Sequence, residues 1–242
     1  MTALEPWTVV ARNLPEHAGN AIHTDEGARR AGFPRALVAG VTTYGYLTHP
    51  VVAEWGRSWL AGGGGEVRFR SPVFDGDEVT CEPSPSGEDG LDVAAVVGDG
   101  PCRAELDAWA CAADIPPRPD HGDELPTVTI RLEGQYSASY GRRAGDDLAL
   151  YDDLGVVHPA VWPALANHVV HRYVAVGAWI HTGSRIAHLG LGPDAGVAEV
   201  RAVVTGRSER KHRQHAVLDV RIDVDGRPCA WLEHEAIVRL RS

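Results

Sequence analysis

The chain has 242 residues, 44% of them apolar and 23% charged, which is typical of a globular protein with one or two hydrophobic cores. Its net charge of −10 argues against general binding to nucleic acids or anionic membranes, and no apolar stretch approaches the roughly 18 residues that span a bilayer. The first residues lack a basic segment followed by an apolar run, which is the pattern of a secretory signal. We therefore expect a cytoplasmic protein.

A single lysine narrows the chemistry further. Lys211 lies in the charged segment GRSERKHRQH (206–215), which is typical of an exposed run. Phosphate-binding loops, Schiff-base enzymes and Tyr-xxx-Lys dyads each need a lysine in a different setting, so these three kinds of site are excluded. The cysteines show no CxxC spacing, and in a chain of this length they indicate reduced thiols (Cys81, Cys102, Cys111 and Cys229).

The first predicted element is a helix over residues 36–56, ALVAGVTTYGYLTHPVVAEWG. It is apolar or small on most sides, which is typical of a buried helix, and Pro50 predicts a kink. An alternating strand, an Asp-Gly turn and a second strand follow at 91–102 (LDVAAVVGDGPC) and predict a hairpin. The first half is thus predicted to be a buried helix followed by antiparallel strands.

A linker is predicted next, over residues 114–126 (DIPPRPDHGDELP). This segment contains four prolines and four acidic residues, a composition that favours neither a helix nor a strand. It divides the chain into a predicted N-terminal unit over 1–113 and a predicted C-terminal unit over 127–242.

The second half repeats the order of the first. HPAVWPALANHVVHRYV (158–174) has apolar residues at helical spacing, and Pro159 suits a first helical turn. LDVRIDVDGRPC (218–229) matches the earlier hairpin, with Leu and Cys in the same places. We therefore predict an internal duplication with an α+β fold, in which two antiparallel sheets each wrap around a long central helix.

The segments NAIHTDEGARRAGFPRALVAG (20–40) and VRFRSPVFDGDEVT (67–80) resemble the MaoC-type hot-dog proteins. HPAVWPALAN (158–167) and the second hairpin resemble the second unit of the double hot-dog members of this group. The resemblance implies a double hot-dog fold, an acyl-CoA or acyl-carrier thioester as substrate, and an acyl chain in a tunnel between the halves. It also implies no separate cofactor and a homodimer. Hot-dog folds host hydratases, dehydratases and thioesterases, so the fold alone does not choose the reaction.

The resemblance also implies three catalytic residues. His23 and Asn20 occupy positions of the family's catalytic loop, and Gly40 stands at the start of its central helix. We expect His23 to act as a base toward water and Asn20 to position it. Backbone amides near Gly40 would stabilise the oxyanion formed when water attacks a thioester carbonyl.

The chain departs from the family pattern at one catalytic position. Where the family has an Asp five residues before the His, this chain has Ala18. Glu16, His17 or Asp25 could replace that Asp only through a rearranged loop. Losing one carboxylate disables a hydratase, which needs two groups, more than a hydrolase that activates water. We therefore expect an acyl-CoA thioesterase. The alternatives are an (R)-type enoyl-CoA hydratase or 3-hydroxyacyl dehydratase, and a catalytically inactive thioester-binding subunit.

Two polar residues of the second half are predicted to face the substrate. His158 and Asn167 lie on or beside the second helix, where they can reach a tunnel between the halves. No metal site is predicted, because a third ligand at a recognisable spacing is lacking beside either histidine pair (His168 and His171; His212 and His215).

A basic cluster is predicted to bind the phosphates of CoA. Arg210 and Lys211 lie close in sequence to Arg207 and Arg213, with only Glu209 of opposite charge among them. Guanidinium groups suit phosphate oxygens because they donate two parallel hydrogen bonds. Arg210 and Lys211 are therefore predicted to be substrate-binding residues.

Overall fold

The computed structural model describes residues 4–111 and 114–240, and this part of the chain forms one antiparallel sheet of eleven strands. The first half contains β1 (Trp7–Val10), α1 (Asp25–Arg30), α2 (Gly40–Gly62), β2 (Gly64–Phe69), β3 (Glu78–Pro85), β4 (Gly90–Val97) and β5 (Ala104–Trp109). The second half contains β6 (Asp123–Glu124), β7 (Val128–Arg131), α3 (Ser139–Ala144), α4 (Leu150–Leu154), α5 (Val161–Val169), β8 (Ile180–His188), β9 (Val197–Arg210), β10 (Arg213–Val224) and β11 (Arg227–Arg239).

The two halves have the same strand order. The first runs β1-β3-β4-β5-β2 from its outer edge, and the second runs β7-β9-β10-β11-β8, with the short β6 also paired to β9. The halves meet where β2 pairs with β8, from Gly64 opposite Ala187 to Arg68 opposite Gly183. Helix α2 packs on strands β3, β4 and β5, and α5 packs on β7, β9 and β11. The fold is therefore duplicated as expected, with its two sheets joined edge to edge.

The predicted linker ends inside this sheet. Asp123 and Glu124 form β6 and pair with Val204 and Val203. Residues 112 and 113, at the end of the predicted N-terminal unit, lie outside the described residues, as do 1–3 and 241–242. The unit boundaries at 113 and 127 stay a prediction.

Helix α2 is buried over most of its length, as its small and apolar residues predicted. It begins at Gly40 and ends at Gly62, so it is shifted toward the C-terminus relative to the predicted 36–56. Its break is at Gly56, with φ 53° and ψ −133°, and Pro50 lies inside the helix without such a distortion. A residue without Cβ adopts a positive φ more easily, which explains the break at Gly56, and the kink at Pro50 stays a prediction.

Helix α5 and the hairpins also follow the predictions. The predicted helix 158–174 is helical over Val161–Val169 and continues as a π-helical turn over Val170–Val174. The second hairpin turns through Asp225 and Gly226, both with positive φ, whereas β4 and β5 are joined by a longer loop. Such a two-residue turn matches the twist of the strands that it joins.

One large hydrophobic core lies between the helices and the sheet of both halves. It includes Leu47 and Trp59 from α2, Leu165 from α5 and Leu218 from β10. Burying a side chain of this size stabilises the fold by about 1.5–3 kcal/mol. A separate small cluster of Ile22, Ala28 and Leu37 packs beneath the loop that carries His23.

The four cysteines are free thiols, and Cys81 and Cys229 are buried whereas Cys111 is exposed. In the described part of the chain, none of the helices has the length and apolar character that a membrane crossing requires.

Candidate active site

A cavity of about 310 Å³, called the first cavity below, lies between the two halves. The first half supplies the loop around His23 and the start of α2, and the second half supplies Asn167 of α5 and His181 of β8. Apolar side chains form much of the remaining wall (Ile22, Phe33, Leu37, Phe69, Val73 and Ile237). Four of the predicted site residues therefore meet here (Asn20, His23, Gly40 and Asn167).

His23 ends a 3₁₀ turn, Ala21–His23, that Asn20 caps. Its Nδ1 lies 2.8 Å from the carbonyl oxygen of Leu37, so Nδ1 carries the proton and donates it. Nε2 has no hydrogen-bond partner among the described residues. Burial lowers the pKa of His23, and the hydrogen bond to Leu37 opposes this only in part. The ring is thus held neutral near pH 7, with the lone pair of a base on Nε2.

The side chain of Asn20 is hydrogen-bonded to the backbone of both halves. Its Nδ2 donates to the carbonyl of Trp179 at 2.9 Å, and its Oδ1 lies 3.5 Å from the backbone nitrogens of Ile22 and Trp179. The buried amide therefore joins the His23 loop to the second half of the chain. The expectation that Asn20 positions a water stays a prediction.

Gly40 is the first residue of α2, beside His181 of β8. The first amides of a helix, here Gly40 and Val41, have no acceptor within the helix and attract negative charge. A Cβ on Gly40 would lie 3.3 Å from the Phe69 ring and 3.4 Å from Nδ1 of His181. Glycine thus leaves this helix end open to the first cavity.

His181 is a polar residue of the cavity that the sequence does not distinguish from the other histidines. It is 5% exposed, and its Nε2 lies 3.1 Å from the carbonyl of Gly183 and 2.8 Å from Oγ of Ser184. Oγ of Ser184 in turn lies 2.9 Å from Nδ1 of His234. Burial lowers the pKa of His181 to about 3, so the ring is neutral. Its Nδ1 is buried without a partner among the described residues.

The residues that could replace the family's Asp do not line the first cavity. Among the described residues, no carboxylate lines the first cavity. Glu16 binds Arg143 at 2.7 Å and its side chain is 1% exposed. Asp25 accepts from the backbone of Ala36 at 2.9 Å on the outside of α1. His17 lines a second cavity that adjoins the first, and it does not line the first cavity.

The two polar residues predicted on the second helix have different fates. Asn167 lines the first cavity, and its Oδ1 is buried without a partner among the described residues. His158 is fully buried in the core and lines neither the first cavity nor the one that adjoins it. Its Nε2 lies 3.1 Å from the Asp146 carboxylate, and its Nδ1 accepts from the backbone of Ala160 at 3.2 Å. Because both nitrogens are used, His158 is a core residue and not a substrate ligand.

The basic cluster reaches the first cavity through a residue next to those predicted. Arg213 lines the cavity and pairs with Arg210 across the β9–β10 ladder. Arg210 and Lys211 are exposed at the tip of this hairpin and do not line the cavity. Among the described residues, none of these three cations has a carboxylate within 4.0 Å. The tip therefore presents positive charge beside the cavity.

A second cavity of about 270 Å³ adjoins the first. The two share four lining residues (Asn20, His23, Asn167 and Trp179). His23 and Asn167 thus lie at the junction of two spaces.

One group of possible metal ligands is present in the described part of the chain, outside both cavities. It consists of His49, Asp146 and Asp147. Nε2 of His49 already lies 2.8 Å from Asp147, and Asp146 already accepts from Leu148 and pairs with His158. Nδ1 of His49 is buried without a partner among the described residues, whereas Nε2 and both carboxylates already take part in these contacts.

No family model and no curated protein matches the chain. Solved structures do match over nearly its whole length. A provisionally named thioesterase from Novosphingobium aromaticivorans is 14% identical, with a TM-score of 0.57 over 99% of this chain and 97% of that chain. A variant of the GphF dehydratase is 15% identical, with a TM-score of 0.60 over 97% and 92%. A MaoC-like dehydratase is 11% identical, with a TM-score of 0.58 over 97% and 98%.

At these identities the likeness establishes the fold. It agrees with the duplicated strand order, and with one helix packed against the strands of each half. The chain therefore has the double hot-dog fold that is found in MaoC-like dehydratases and in thioesterases.

Proposed function

We propose that this protein hydrolyses acyl thioesters and that His23 activates the water. One observation carries the proposal: the first cavity combines a neutral imidazole with the open N-terminus of α2 and has no lining carboxylate among the described residues. A base and an oxyanion site are sufficient for hydrolysis. The thioesterases and dehydratases among the similar structures support thioester chemistry on this fold.

In the proposed reaction, the thioester carbonyl lies at the start of α2, with its oxygen toward the amides of Gly40 and Val41. Nε2 of His23 removes a proton from water as the oxygen of that water attacks the carbonyl carbon. The helix amides stabilise the negative charge on the tetrahedral intermediate. The C–S bond then breaks, and His23 returns the proton to the leaving thiolate. The products are a carboxylic acid and a free thiol.

The carrier of the acyl group is proposed to be CoA. Arg213 at the cavity, with Arg210 and Lys211 at the hairpin tip, offers cations for the phosphates. Guanidinium groups bind phosphate oxygens with paired hydrogen bonds, which strengthens the contact.

Hydration of an enoyl thioester, or the reverse dehydration, is the second candidate. The unpaired Oδ1 of Asn167 favours it, because this atom could hold the water or hydroxyl at C3. An amide is a poor acid or base, however, and the missing carboxylate at Ala18 leaves His23 to handle both protons. Hydrolysis needs only one such group at a time.

One assay separates the candidates. Saturated and 2-enoyl CoA esters are incubated with the protein, while free thiol and enoyl absorbance are followed together. We expect thiol release, reduced about 10²–10⁴-fold by His23→Ala, because general base catalysis contributes that much. Loss of enoyl absorbance without thiol would establish hydration instead. If thiol release and loss of enoyl absorbance are both absent, the protein is a catalytically inactive binding subunit. Full activity of His23→Ala would refute the proposed site.

A further inference from the structure

The second cavity extends the substrate space beyond His23. Its volume of about 270 Å³ is far larger than the roughly 10–15 Å³ that one water needs, so it has room for a group of several atoms. Because it shares His23 and Asn167 with the first cavity, a substrate whose carbonyl lies at Gly40 can pass both residues and enter it.

Its wall is unlike that of the first cavity. Its apolar side chains are Ala164 and Trp179, and polar side chains dominate it, including one carboxylate (Glu16, His17, His168, His171 and Tyr136). Burying polar groups against an alkyl chain removes their water without replacing the hydrogen bonds, which is unfavourable. The wall therefore suits a partner that can form hydrogen bonds.

Several of these polar groups are positioned but not saturated. Nε2 of His17 lies 3.2 Å from the hydroxyl of Tyr140, and the hydroxyl of Tyr136 is hydrogen-bonded to Nε2 of His168. The Nδ1 atoms of both rings have no partner among the described residues. Oδ1 of Asn167 is buried and unpaired in the same part of the structure. Donors and acceptors are thus held in place along this wall, and the two Nδ1 atoms are without partners among the described residues.

The charge of the wall favours a neutral partner. Burial lowers the pKa of His17 to about 3 and also lowers the pKa of His168. Neutral imidazoles offer one donor and one acceptor each, which suits hydroxyl and keto groups. The carboxylate of Glu16 already binds Arg143, so that cation is not free for an acidic substrate.

We propose that the second cavity binds the distal part of the acyl group, and that this part carries hydroxyl or keto oxygens instead of being a saturated alkyl chain. The inference rests on the proposed function, because it takes His23 and Gly40 as the place of the thioester carbonyl. It predicts the substrate class of this site: acyl thioesters that are oxygenated several carbons from the carbonyl.

The test compares three esters of equal chain length: hexanoyl-CoA, 5-hydroxyhexanoyl-CoA and 5-oxohexanoyl-CoA. We expect kcat/KM to be at least about tenfold higher for one or both oxygenated esters. A tenfold ratio corresponds to about 1.4 kcal/mol, which is the contribution of one good hydrogen bond. Asn167→Leu and Tyr136→Phe keep the side-chain volume and should move this ratio toward one. Ile180→Val, which changes only the first cavity, should change all three rates by a similar factor.

Two failures can be told apart. Equal or faster turnover of hexanoyl-CoA would overturn the inference and leave thioester hydrolysis standing. If no ester is turned over, the proposed function fails, and binding of the uncleavable hexyl-CoA and 5-hydroxyhexyl-CoA thioethers decides the inference alone. About tenfold tighter binding of the hydroxylated thioether, lost in Asn167→Leu, would support it, and equal binding would overturn it.

Discussion

Nδ1 of His23 lies 2.8 Å from the carbonyl oxygen of Leu37, a residue whose side chain packs with Ile22 beneath the same loop. Because a carbonyl oxygen only accepts hydrogen bonds, this contact determines which ring nitrogen carries the proton. It leaves Nε2 unprotonated in the neutral ring, where a base is needed. The packing of one small apolar cluster thus sets the tautomer of the proposed catalytic residue.

The rate of thioester hydrolysis should follow the protonation of His23. Burial lowers the pKa of this ring from its ordinary value of 6.5, so the active neutral form persists below pH 6.5. We expect kcat/KM to be level near neutrality and to fall only at more acidic pH, as the imidazole becomes protonated. Stopped assays from pH 4.5 to 8 with a saturated acyl-CoA measure this. A rate that falls as pH rises through neutrality would contradict His23 as the base.

Replacing Gly40 with alanine should damage activity more than stability. The added Cβ would lie 3.3 Å from the Phe69 ring and 3.4 Å from Nδ1 of His181, where the carbonyl is proposed to approach the helix. We expect kcat/KM to fall at least about tenfold, because small misplacements at a reacting centre cost about 10²-fold. Gly62→Ala, at the other end of α2 and with open space around it, is the matched control. Equal effects of both changes would argue against a role for this helix end.

Arg213 should bind the carrier and not the acyl group. It lines the first cavity and has no carboxylate within 4.0 Å among the described residues. We expect Arg213→Gln to raise KM about tenfold for an acyl-CoA, with a weaker effect at high salt, because salt screens the contact. An N-acetylcysteamine thioester of the same acyl group lacks the phosphates and should be unaffected.

The control for this charge lies at the opposite end of β9. Arg131 of β7 pairs with Val197 at the start of β9, whereas Arg210 ends that strand. Arg131→Gln removes a charge there and should leave both substrates unchanged. A similar increase of KM in Arg131→Gln would show that Arg213 acts only through the net charge of the protein.

Buried histidines should make the fold sensitive to acid. Burial lowers the pKa of His17 and of His181 to about 3 and that of His188 to about 4, below the 6.5 of an unfolded chain. Below pH 6.5 the unfolded state therefore binds more protons, and the free energy of unfolding falls as pH falls. Each ring contributes up to about 1.4 kcal/mol per pH unit in this window.

Urea unfolding between pH 7.5 and 5 measures this slope. His188→Gln removes one of the titrating rings, so it should reduce the slope by up to about 1.4 kcal/mol per pH unit. An unfolding free energy that is constant over this range would contradict the neutral state of these rings.

Local sequence patterns predicted the architecture well, because they report which side chains are buried. The apolar runs around Tyr44 and Leu165 predicted the two buried helices, and the alternation from Leu218 to Val224 predicted a strand. The break of α2 at Gly56 was not predicted. A proline predicts a kink from its chemistry alone, whereas the chain direction after the helix depends on packing against the sheet.

The site was predicted only where the resemblance supplied a loop and a helix start. His23 and Gly40 line one cavity as expected, whereas His158 is hydrogen-bonded to Asp146 in the core. His181 is one of 12 histidines, and nothing local marks it as the one beside Gly40. That contact joins residues far apart in sequence, across the boundary between the halves.

The sequence by itself determined the duplicated helix-and-strand order, because hydrophobic periodicity is a local property that survives in each segment. Only the tertiary structure decided which polar groups are free to act. Hydrogen bonding and desolvation depend on neighbours that folding brings together. The amide of Asn20 donates to the carbonyl of Trp179, and Nδ1 of His23 donates to the carbonyl of Leu37, which leaves Nε2 of His23 without a proton.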